Sequence, residues 1–463
     1  MKIQIICILG CSVLLSGCNL YKNYERPDKL SRTEGLYRDT VSPDAALSEA
    51  DTTNFGTQPW REVFSDAQLQ ALIEKALANN TNMKKAELNI EKAQAGLTVS
   101  KLSYLPSLTL APQGTISSFD HMQATKTYTL PLSASWNLGS WGSLRNTRKQ
   151  SETTLLQAKV AKQATQTSII AAVANLYYTL QMLDEQLKTT QATVVLWKKN
   201  VEAMEAMFDA AMVNQAAVSQ TKANYYELLA SVPALEKSIR EAENSLCLLL
   251  DETPHAIGRS AFNSNVFPAR MSAGVPVQLL SYRPDVRIAE LTLASKFYGV
   301  NIARSAFYPG LTLSGTAGWT NSAGMGVLNP AKFIAQAVGS VVQPLFANGK
   351  LRANLKISKL EQEQAELEFR ETLLNAGNEV SNALSEYQTC IKQQDQREKE
   401  VAELEKALED VNTLFQYSSQ TTYLETLTAQ QSLLQAQLSL INDKYNKVLS
   451  AVKLYQALGG GRE

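Results

Sequence analysis

The stretch Tyr104-Leu105-Pro106-Ser107-Leu108-Thr109-Leu110 returns 203 residues later as Phe307-Tyr308-Pro309-Gly310-Leu311-Thr312-Leu313. A second stretch, Gly142-Ser143-Leu144-Arg145, returns 207 residues later as Gly349-Lys350-Leu351-Arg352. In each copy an alternating, strand-like stretch leads into a very long helical one. Two copies of one unit predict a single elongated architecture, rather than the roughly three domains that about 150 residues per domain would give.

Proline and glycine mark the junction between the two halves, at Pro254, Gly258, Pro268, Gly274 and Pro276. We therefore place the repeats at about 60–263 and 282–463, within one domain that spans 18–463. Residues 19–58 are polar, mixed and without a sustained period, so they predict an extended tether, which would let the lipid on Cys18, predicted below, sit away from the main body.

The first seventeen residues read as an export signal, because Lys2 is followed by an apolar run from Ile3 to Leu15 that is too short to span a bilayer. The run ends in Leu15-Ser16-Gly17-Cys18, which resembles the lipobox at which bacterial lipoproteins are cut. We predict a signal peptide over 1–17 and a covalent lipid on Cys18, comprising a diacylglycerol and an N-acyl chain, with no other cofactor. The alternative is a plain secretory signal with an incidental cysteine. Asn19 after the cysteine points to the outer membrane and its lipid.

Lys plus Arg and Asp plus Glu both total 44, so net charge does not favour a nucleic-acid partner. The chain has two histidines, His121 and His255, which disfavours a histidine-rich metal site. Once the signal and Cys18 are set aside, Cys247 and Cys390 remain, each within an apolar helical stripe. We expect two buried thiols, with a disulfide between them as the alternative in an oxidising periplasm.

Enzyme motifs are missing from the sequence. It contains no nucleophile elbow, no P-loop, no paired His/Cys ligands and no dinucleotide fingerprint. We therefore predict neither a catalytic nor a metal-binding residue.

Two regions, about 104–139 and 307–346, alternate apolar and small polar residues with period two. An ordinary soluble sandwich is one interpretation. The polar face carries almost no charge, and Tyr128, Trp136 and Trp319 lie near the ends of stretches, which favours strands with lipid on one side and water on the other. The fourth stretch, Phe333 to Leu345, is expected to be weak because Gly339 and Gln343 interrupt its apolar face.

Helical periodicity runs from Gly142 to about Asp209 and from Gly349 to about Gln416. At about 1.5 Å per residue each helix would be about 100 Å long, several times the roughly 30 Å of a hydrocarbon core, so the helices must project out of the membrane. Their apolar residues step by four and three alternately, as in Phe369, Leu373, Ala376, Val380, Ala383, Tyr387 and Cys390. This spacing predicts coiled-coil packing.

Four strands in one chain cannot close a barrel, and an open sheet edge in hydrocarbon leaves unpaired backbone groups that each cost several kcal/mol. The strands therefore predict an oligomer. Two, three or four copies would give roughly 8, 12 or 16 strands, and composition does not choose among them.

Four motifs together resemble the TolC-like outer membrane efflux family, in its lipoprotein branch that serves resistance-nodulation-division pumps. The motifs are Trp60 to Leu69, Arg283 to Glu290 with the following Phe307-Tyr308-Pro309-Gly310-Leu311, Gln343 to Leu351, and Leu454 to Gly461. The resemblance implies a mainly α chain with a membrane β-barrel portion. It also implies a homotrimer, whose twelve-stranded barrel continues into a periplasmic coiled-coil α-barrel that tapers shut. Substrates would arrive from an inner-membrane pump through a periplasmic adaptor protein.

Each long helix reverses at a hairpin tip, near Phe208 to Asn214 and Tyr417 to Tyr423. Family members usually carry glycine at each tip, whereas this chain has Ala211 and Ser419. A tip position with positive φ suits glycine and strains alanine, so the turn and the adaptor contact are expected to differ here.

Some family members close the pore with a ring of aspartates just after the second tip, where this chain has Thr421 and Thr422. Our hypothesis is that closure depends on packing of Tyr417 and Tyr423 and on hydroxyl hydrogen bonds. Asp209 and Glu425 would be the nearest charges. The alternative is that all of these are ordinary helix-end residues.

The sequence thus predicts a passive exit duct of a tripartite efflux pump for drugs or other small toxic solutes. A type I protein secretion duct is the alternative within the channel class. A structural lipoprotein that spans the periplasm as a coiled-coil spacer is the alternative from another class, and it leaves the amphipathic strands unexplained.

Overall fold

The computed structural model describes residues 21–27, 36, 55–118, 120, 123–138, 142–267, 282–323, 326–417 and 423–461. The predicted signal peptide and Cys18 lie outside these residues. By its contacts the chain divides into two compact units. Unit 1 holds Leu88–Val160, Arg287–Thr372 and the described part of Met1–Ser31, and unit 2 holds Ala161–Val286, Leu373–Glu463 and the described part of Arg32–Glu87.

The helices repeat along the chain as the sequence predicts. In the order of the chain they are α1 (Trp60–Val63), α2 (Ala67–Asn79), α3 (Thr81–Leu102), α4 (Ser143–Asp209), α5 (Gln215–Leu250), α6 (Pro284–Ser305), α7 (Lys350–Tyr417) and α8 (Tyr423–Ala457). Helices α3 and α6 both have 22 residues and begin 203 positions apart. Helices α4 and α7 have 67 and 68 residues and begin 207 positions apart. These two offsets are those of the two repeated stretches, so the predicted duplication is confirmed.

The two long helices begin and end within one residue of their predicted bounds. All seven residues of the predicted stripe on α7, Phe369 to Cys390, are buried. In unit 2, Met182 and Leu183 of α4 pack with Ile441 of α8, and Leu235 and Ile239 of α5 pack against the same cluster. The predicted apolar stripes therefore form helix-to-helix contacts. Among the described residues, none of the helices is both long and apolar enough to cross a bilayer.

Two helices, α2 and α3, precede the sheet, and the chain is divided between them at Asn80. The Asp66 side chain caps α2 by accepting hydrogen bonds from the backbone N–H groups of Gln68 and Leu69. At Asn80 the backbone turns to φ −55° and ψ 129°, which ends α2. The side chain of Asn80 then accepts from the N–H of Asn82 and donates to the carbonyl of Leu249, which compensates for the break.

A five-stranded antiparallel sheet lies in unit 1, with strands β1 (Ser107–Leu110), β2 (Gln113–Ser117), β3 (Thr125–Asn137), β4 (Gly310–Ala323) and β5 (Gly326–Val342). Strands β1 and β2 pair with successive parts of the same edge of β3. The first predicted strand is therefore interrupted, between Leu110 and Gln113, where Pro112 has no N–H to donate to a ladder. The sheet remains four positions wide, as expected.

The expectation of a weak fourth strand is wrong. Strand β5 is the longest of the sheet, with 17 residues, and it begins before the predicted Phe333. Gly339 remains paired, with Leu313 opposite it, and the strand ends at Val342, just before Gln343. Ladder hydrogen bonds come from the backbone, so a gap in the apolar face does not break the strand.

Register keeps each face of the sheet uniform. Leu130 lies opposite Trp319 and Leu132 lies opposite Ala317, whereas Ser133 lies opposite Thr316. A slip of one residue would exchange the two faces. Large apolar side chains on the sheet are exposed in the single chain, with Leu108 at 68% and Ile116 at 72%, so the sheet carries an uncovered apolar face.

Residues 21–27 contain no helix or strand, but they are packed against α6 in unit 1, where Arg26 pairs with Glu290. These residues therefore lack regular secondary structure, as expected of the tether, but they are packed onto the main body, and the predicted position of the lipid lies outside the described residues.

Candidate functional site

The first hairpin tip joins α4 to α5 through a tight turn at Ala211, whose φ of 58° lies in the left-handed region. The N–H of Met212 donates to the carbonyl of Met207 at 2.8 Å, and the N–H of Ala211 donates to the carbonyl of Phe208 at 2.8 Å. These two bonds form a Schellman motif, in which the left-handed position is usually glycine. The structure thus gives a positive φ at the tip position where the sequence has alanine.

Other residues of this tip are set by helix-end chemistry. The side chain of Asn214 caps α5 by accepting from the N–H of Ala217 at 2.9 Å. Asp209 is exposed in the last turn of α4, where its negative charge interacts unfavourably with the negative end of the helix dipole. Phe208 and Met212 are also exposed, Met212 at 71%. The tip therefore presents apolar side chains beside a carboxylate.

The second tip is described only at its two ends. Helix α7 ends at Tyr417 and α8 begins at Tyr423. The predicted gate residues Ser419, Thr421 and Thr422 lie outside the described residues, as does the side chain of Tyr417. Glu425 is exposed in the first turn of α8, where a carboxylate suits the helix dipole.

Tyr423 is the predicted gate residue for which the structure gives specific contacts. Its hydroxyl donates a hydrogen bond to the backbone carbonyl of Asn200 in α4 at 3.2 Å. Its ring meets that of Phe415 edge to face, with ring centroids 5.5 Å apart. Burial raises the pKa of Tyr423 to about 12. The side chain of Asn200 donates in turn to Gln430 of α8.

Tyr423, Asn200 and Gln430 thus link the helices of two different repeats, and we call these three residues the latch. Sequence reasoning identified Tyr423 and missed Asn200 and Gln430. Their types are common on solvated helix faces, and only the folded chain brings positions more than 200 residues apart into contact.

The family-like motif at Arg283 lies in a structural core of unit 2. The side chain of Arg283 is buried, with 8% of its surface exposed. Its guanidinium pairs with Asp285 and Glu379 at 2.6 Å each. It also donates to the carbonyl of Ala457 at 2.9 Å. Arg283 therefore connects the start of α6, the middle of α7 and the end of α8.

The other two motifs of unit 2 meet in the same core. The hydroxyl of Tyr455 accepts from the N–H of Gly461 at 2.8 Å and donates to the carbonyl of Gln58 at 2.9 Å. Its ring packs edge to face on Phe64. The N-terminal and C-terminal motifs are thus joined through one tyrosine.

Both cysteines of the described chain, Cys247 and Cys390, are buried free thiols. The Sγ of Cys247 lies 3.5 Å from Nδ1 of His255, and burial raises the pKa of the Cys390 thiol. Across the described ranges, His, Cys, Asp and Glu side chains form no group of three or more that could hold a metal ion.

The sequence and the fold of this chain are similar to those of known proteins. The family model described as "Outer membrane efflux protein" matches residues 72–251 and 275–460. The cation efflux system protein CusC of Escherichia coli (strain K12) is 26% identical over 453 residues, covering 97% of this chain and 98% of CusC. The toluene efflux pump outer membrane protein TtgC of Pseudomonas putida is 28% identical over 471 residues, covering 97% of this chain and 93% of TtgC.

A solved crystal structure of CusC superposes with a TM-score of 0.84 at 24% sequence identity, covering 96% of this chain and all of that one. The fold, a duplicated unit of amphipathic strands and long helical hairpins, is that of a channel subunit with a helical barrel and a sheet portion. The chain belongs to the outer membrane efflux protein family. Proteins of this family are transport ducts of the outer membrane rather than enzymes.

Proposed function

We propose that this protein is the outer-membrane exit duct of a tripartite efflux pump, working as a homotrimer that receives small toxic solutes through a periplasmic adaptor from an inner-membrane pump. The duct performs no chemistry, and its own mechanism is gating and passive conduction. The observation that carries the proposal is the sheet, which has an uncovered apolar face and two edges open to pairing.

Those edges support assembly. Among the described residues, no strand pairs with the outer edge of β5 or with the outer edge of β1 and β2. In hydrocarbon each unpaired backbone group costs several kcal/mol, so both edges need a partner strand. Three copies of a sheet four positions wide supply about twelve strands, a count that leaves room for a conducting lumen.

The tips supply a surface for the adaptor. Near the two hairpin ends, Phe208, Met212, Leu414 and Leu424 are exposed apolar side chains. Exposed apolar side chains at the tips are expected to favour docking of another protein. The latch lies beside this surface, so adaptor binding and breakage of the Tyr423 hydrogen bond would be coupled through α8.

The transported solute is proposed only as a class. CusC is named for cation efflux and TtgC for toluene efflux. Relatives of similar identity thus carry names that refer to different solutes, so the pump and adaptor, not the duct, are expected to select the substrate.

The test combines conduction with export. Purified protein in planar bilayers should form discrete conducting channels, and cells lacking the gene should become more sensitive to drugs, dyes, bile salts or metal ions. Absence of conductance would favour the coiled-coil spacer instead. Conductance without any change in sensitivity, together with loss of a secreted protein, would favour the type I secretion duct.

A further inference from the structure

The antiparallel sheet of unit 1 has one apolar face and one face of small polar side chains, which we call the hydroxyl face. On β3 the apolar face carries Leu130, Leu132 and Trp136. The hydroxyl face of β3 carries Thr129, Ser133 and Ser135. The register with β4 keeps the faces separate, because Leu130 lies opposite Trp319 and Thr129 lies opposite Thr320. Since side chains alternate between the two faces of a strand, these pairs assign every other residue of the paired strands to a face.

The hydroxyl face carries very little charge. From Gly310 to Val342, a range that contains β4 and β5, the sequence has one ionised residue, Lys332. Lys332 lies opposite Thr320, so it belongs to the hydroxyl face, and its side chain is exposed. Strands β1 to β3 also have one ionised residue, Lys126, which lies two positions before Tyr128 and therefore belongs to the apolar face. Within the described strands, Lys332 is thus the ionised side chain of the hydroxyl face.

Aromatic side chains show how far along the sheet Lys332 lies. On the apolar face the rings of Trp319 and Phe333 meet edge to face, with centroids 5.6 Å apart, one register position from Lys332. Aromatic residues of membrane barrels gather where the wall meets the lipid headgroups. Strand β5 ends at Val342 on the way to α7, and the ten positions from Lys332 to Val342 span about 34 Å along the strand. At a tilt of about 40° this distance is about 26 Å across the membrane, close to the roughly 25 Å height of an apolar band. Lys332 therefore lies at the headgroup level remote from the helices.

In a closed barrel Lys332 would belong to the inner wall. The apolar face contacts lipid, so the hydroxyl face lines the lumen. Twelve strands about 4.8 Å apart and tilted by about 40° give a circumference of about 75 Å and a radius of about 12 Å. Three copies of the chain would place three lysines at one level of this wall. The Debye length is about 10 Å in 0.1 M salt, similar to the radius, so their field reaches the axis, whereas in 1 M salt it falls to about 3 Å.

We propose that Lys332 determines the charge selectivity of the outer end of the lumen, where it attracts anions and disfavours the return of cationic solutes. This inference rests on the proposed function, because it needs the trimeric barrel. The strands themselves contain no carboxylate that could neutralise the ammonium group, and Asp120 lies between β2 and β3, outside the strands. Around Lys332 the wall is made of uncharged hydroxyl groups, so its charge is the one that an ion meets at this level.

The first experiment measures the local field with a thiol reporter in full-length protein on intact cells. Ile334 lies two residues after Lys332, on the same face, and is exposed. Ile334→Cys is labelled from outside in 0.1 M salt with an anionic and a cationic methanethiosulfonate, and protein without the reporter gives the background. Lys332→Gln is expected to lower the ratio of the anionic to the cationic rate at least about threefold, and Lys332→Glu to lower it further, with both effects absent in 1 M salt.

Two controls make this result specific. Lys126→Gln removes the same charge from the apolar face near the same end of the sheet, and it should leave the ratio unchanged. Phe333→Cys, the neighbouring position on the apolar face, should react at least about tenfold more slowly than Ile334→Cys, because lipid covers it. An unchanged ratio in both Lys332 variants, or faster labelling at Phe333→Cys than at Ile334→Cys, would overturn the proposal and leave the proposed function to the conductance measurement.

The closing experiment measures ion selectivity in planar bilayers. At the fully open conductance level under a gradient of dilute potassium chloride, Lys332→Gln should lower the ratio of chloride to potassium permeability about 1.5- to threefold, and Lys332→Glu should lower it further. Lys126→Gln should leave the reversal potential where it is in the unmodified protein. Conducting channels with one permeability ratio in all variants would overturn the role of Lys332 and leave the proposed function intact. Absence of conductance in the unmodified protein would overturn both.

Discussion

The hydroxyl of Tyr423, at the start of the last helix, donates a hydrogen bond to the backbone carbonyl of Asn200 in the first long helix, 3.2 Å away. One repeat is thereby held to the other close to the tips, and the side chain of Asn200 adds a second link to Gln430. Two discrete links between packed helices are the kind of element that can hold one arrangement and release another.

Replacement of Tyr423 is expected to loosen the closed tip. Tyr423→Phe keeps the ring packing on Phe415 and removes one hydrogen bond, which is worth about 1 kcal/mol, or roughly a fivefold shift toward open states. Tyr423→Ala removes the ring as well and should open the channel further. Single-channel recording in planar bilayers measures both. Tyr226→Phe, at an exposed tyrosine, is the control, and closure unchanged in both Tyr423 variants would remove this residue from the gate.

The same tyrosine predicts a response to alkaline pH. Burial raises its pKa from 10.0 to about 12, so the folded state retains the proton that an unfolded tip would release. The stabilisation is therefore fully present below pH 10 and is lost as pH rises from 10 to 12. Hydrogen exchange of α8 should show local opening in this window, and Tyr423→Phe should abolish that part of the change. An identical alkaline response in Tyr423→Phe would assign the opening to other groups.

Ala211 adopts the left-handed conformation that glycine adopts without strain. Ala211→Gly is expected to stabilise the tip by about 1 kcal/mol. Alanine in the left-handed region costs about 1–2 kcal/mol, and removal of this strain is partly offset because glycine loses more conformational entropy on folding. Slower hydrogen exchange at Phe208 to Asn214 measures the effect. Ala210→Gly, one position earlier and outside the positive-φ residues, should not stabilise. Equal effects from the two substitutions would contradict the assigned strain.

Gly142 and Gly349 form a matched pair that isolates the contact of Gly142 with Tyr21. Both have positive φ, 87° and 77°, so alanine at either one should destabilise its turn by about 1 kcal/mol. The two substitutions differ in what the added methyl group meets. At Gly142 it would contact Tyr21, whereas at Gly349 no described atom lies within 4 Å of it. Gly142→Ala should therefore also speed protease cleavage after Lys22, and Gly349→Ala should not. Equal cleavage rates would place Tyr21 elsewhere.

The sequence was most informative for features that depend on periodic spacing and on neighbouring residues, such as the bounds of helices. The bounds of α4 and α7 follow from apolar spacing and glycine, and they agree with the structure to one residue. The misjudged strand β5 shows the limit of the same signal, because Gly339 lacks a side chain yet keeps its backbone pairing with Leu313. The latch and the pairing of Arg26 with Glu290 were not predictable. Asn200 with Gln430, and Arg26 with Glu290, are polar pairs more than 200 residues apart whose residue types are common on any solvated surface.

Arg283 provides a test of how the family-like motifs stabilise the chain. Arg283→Met should lower the stability of unit 2 by about 2 kcal/mol, because the carbonyl of Ala457 loses its donor and two carboxylates lose their partner. The loss should stay below the roughly 3–5 kcal/mol of a fully buried pair, since Asp285 and Glu379 are 47% and 59% exposed and water can replace part of the interaction. For Arg283→Lys the loss of stability should lie between that of Arg283→Met and zero, because an ammonium cannot bind Asp285 bidentately.

Urea-induced loss of tryptophan fluorescence measures the stability of these variants. Arg148→Met, which removes an exposed pair with Glu152, is the control and should change stability by less than about 1 kcal/mol. A loss no larger at Arg283 than at Arg148 would show that the motif does not act through this ion pair.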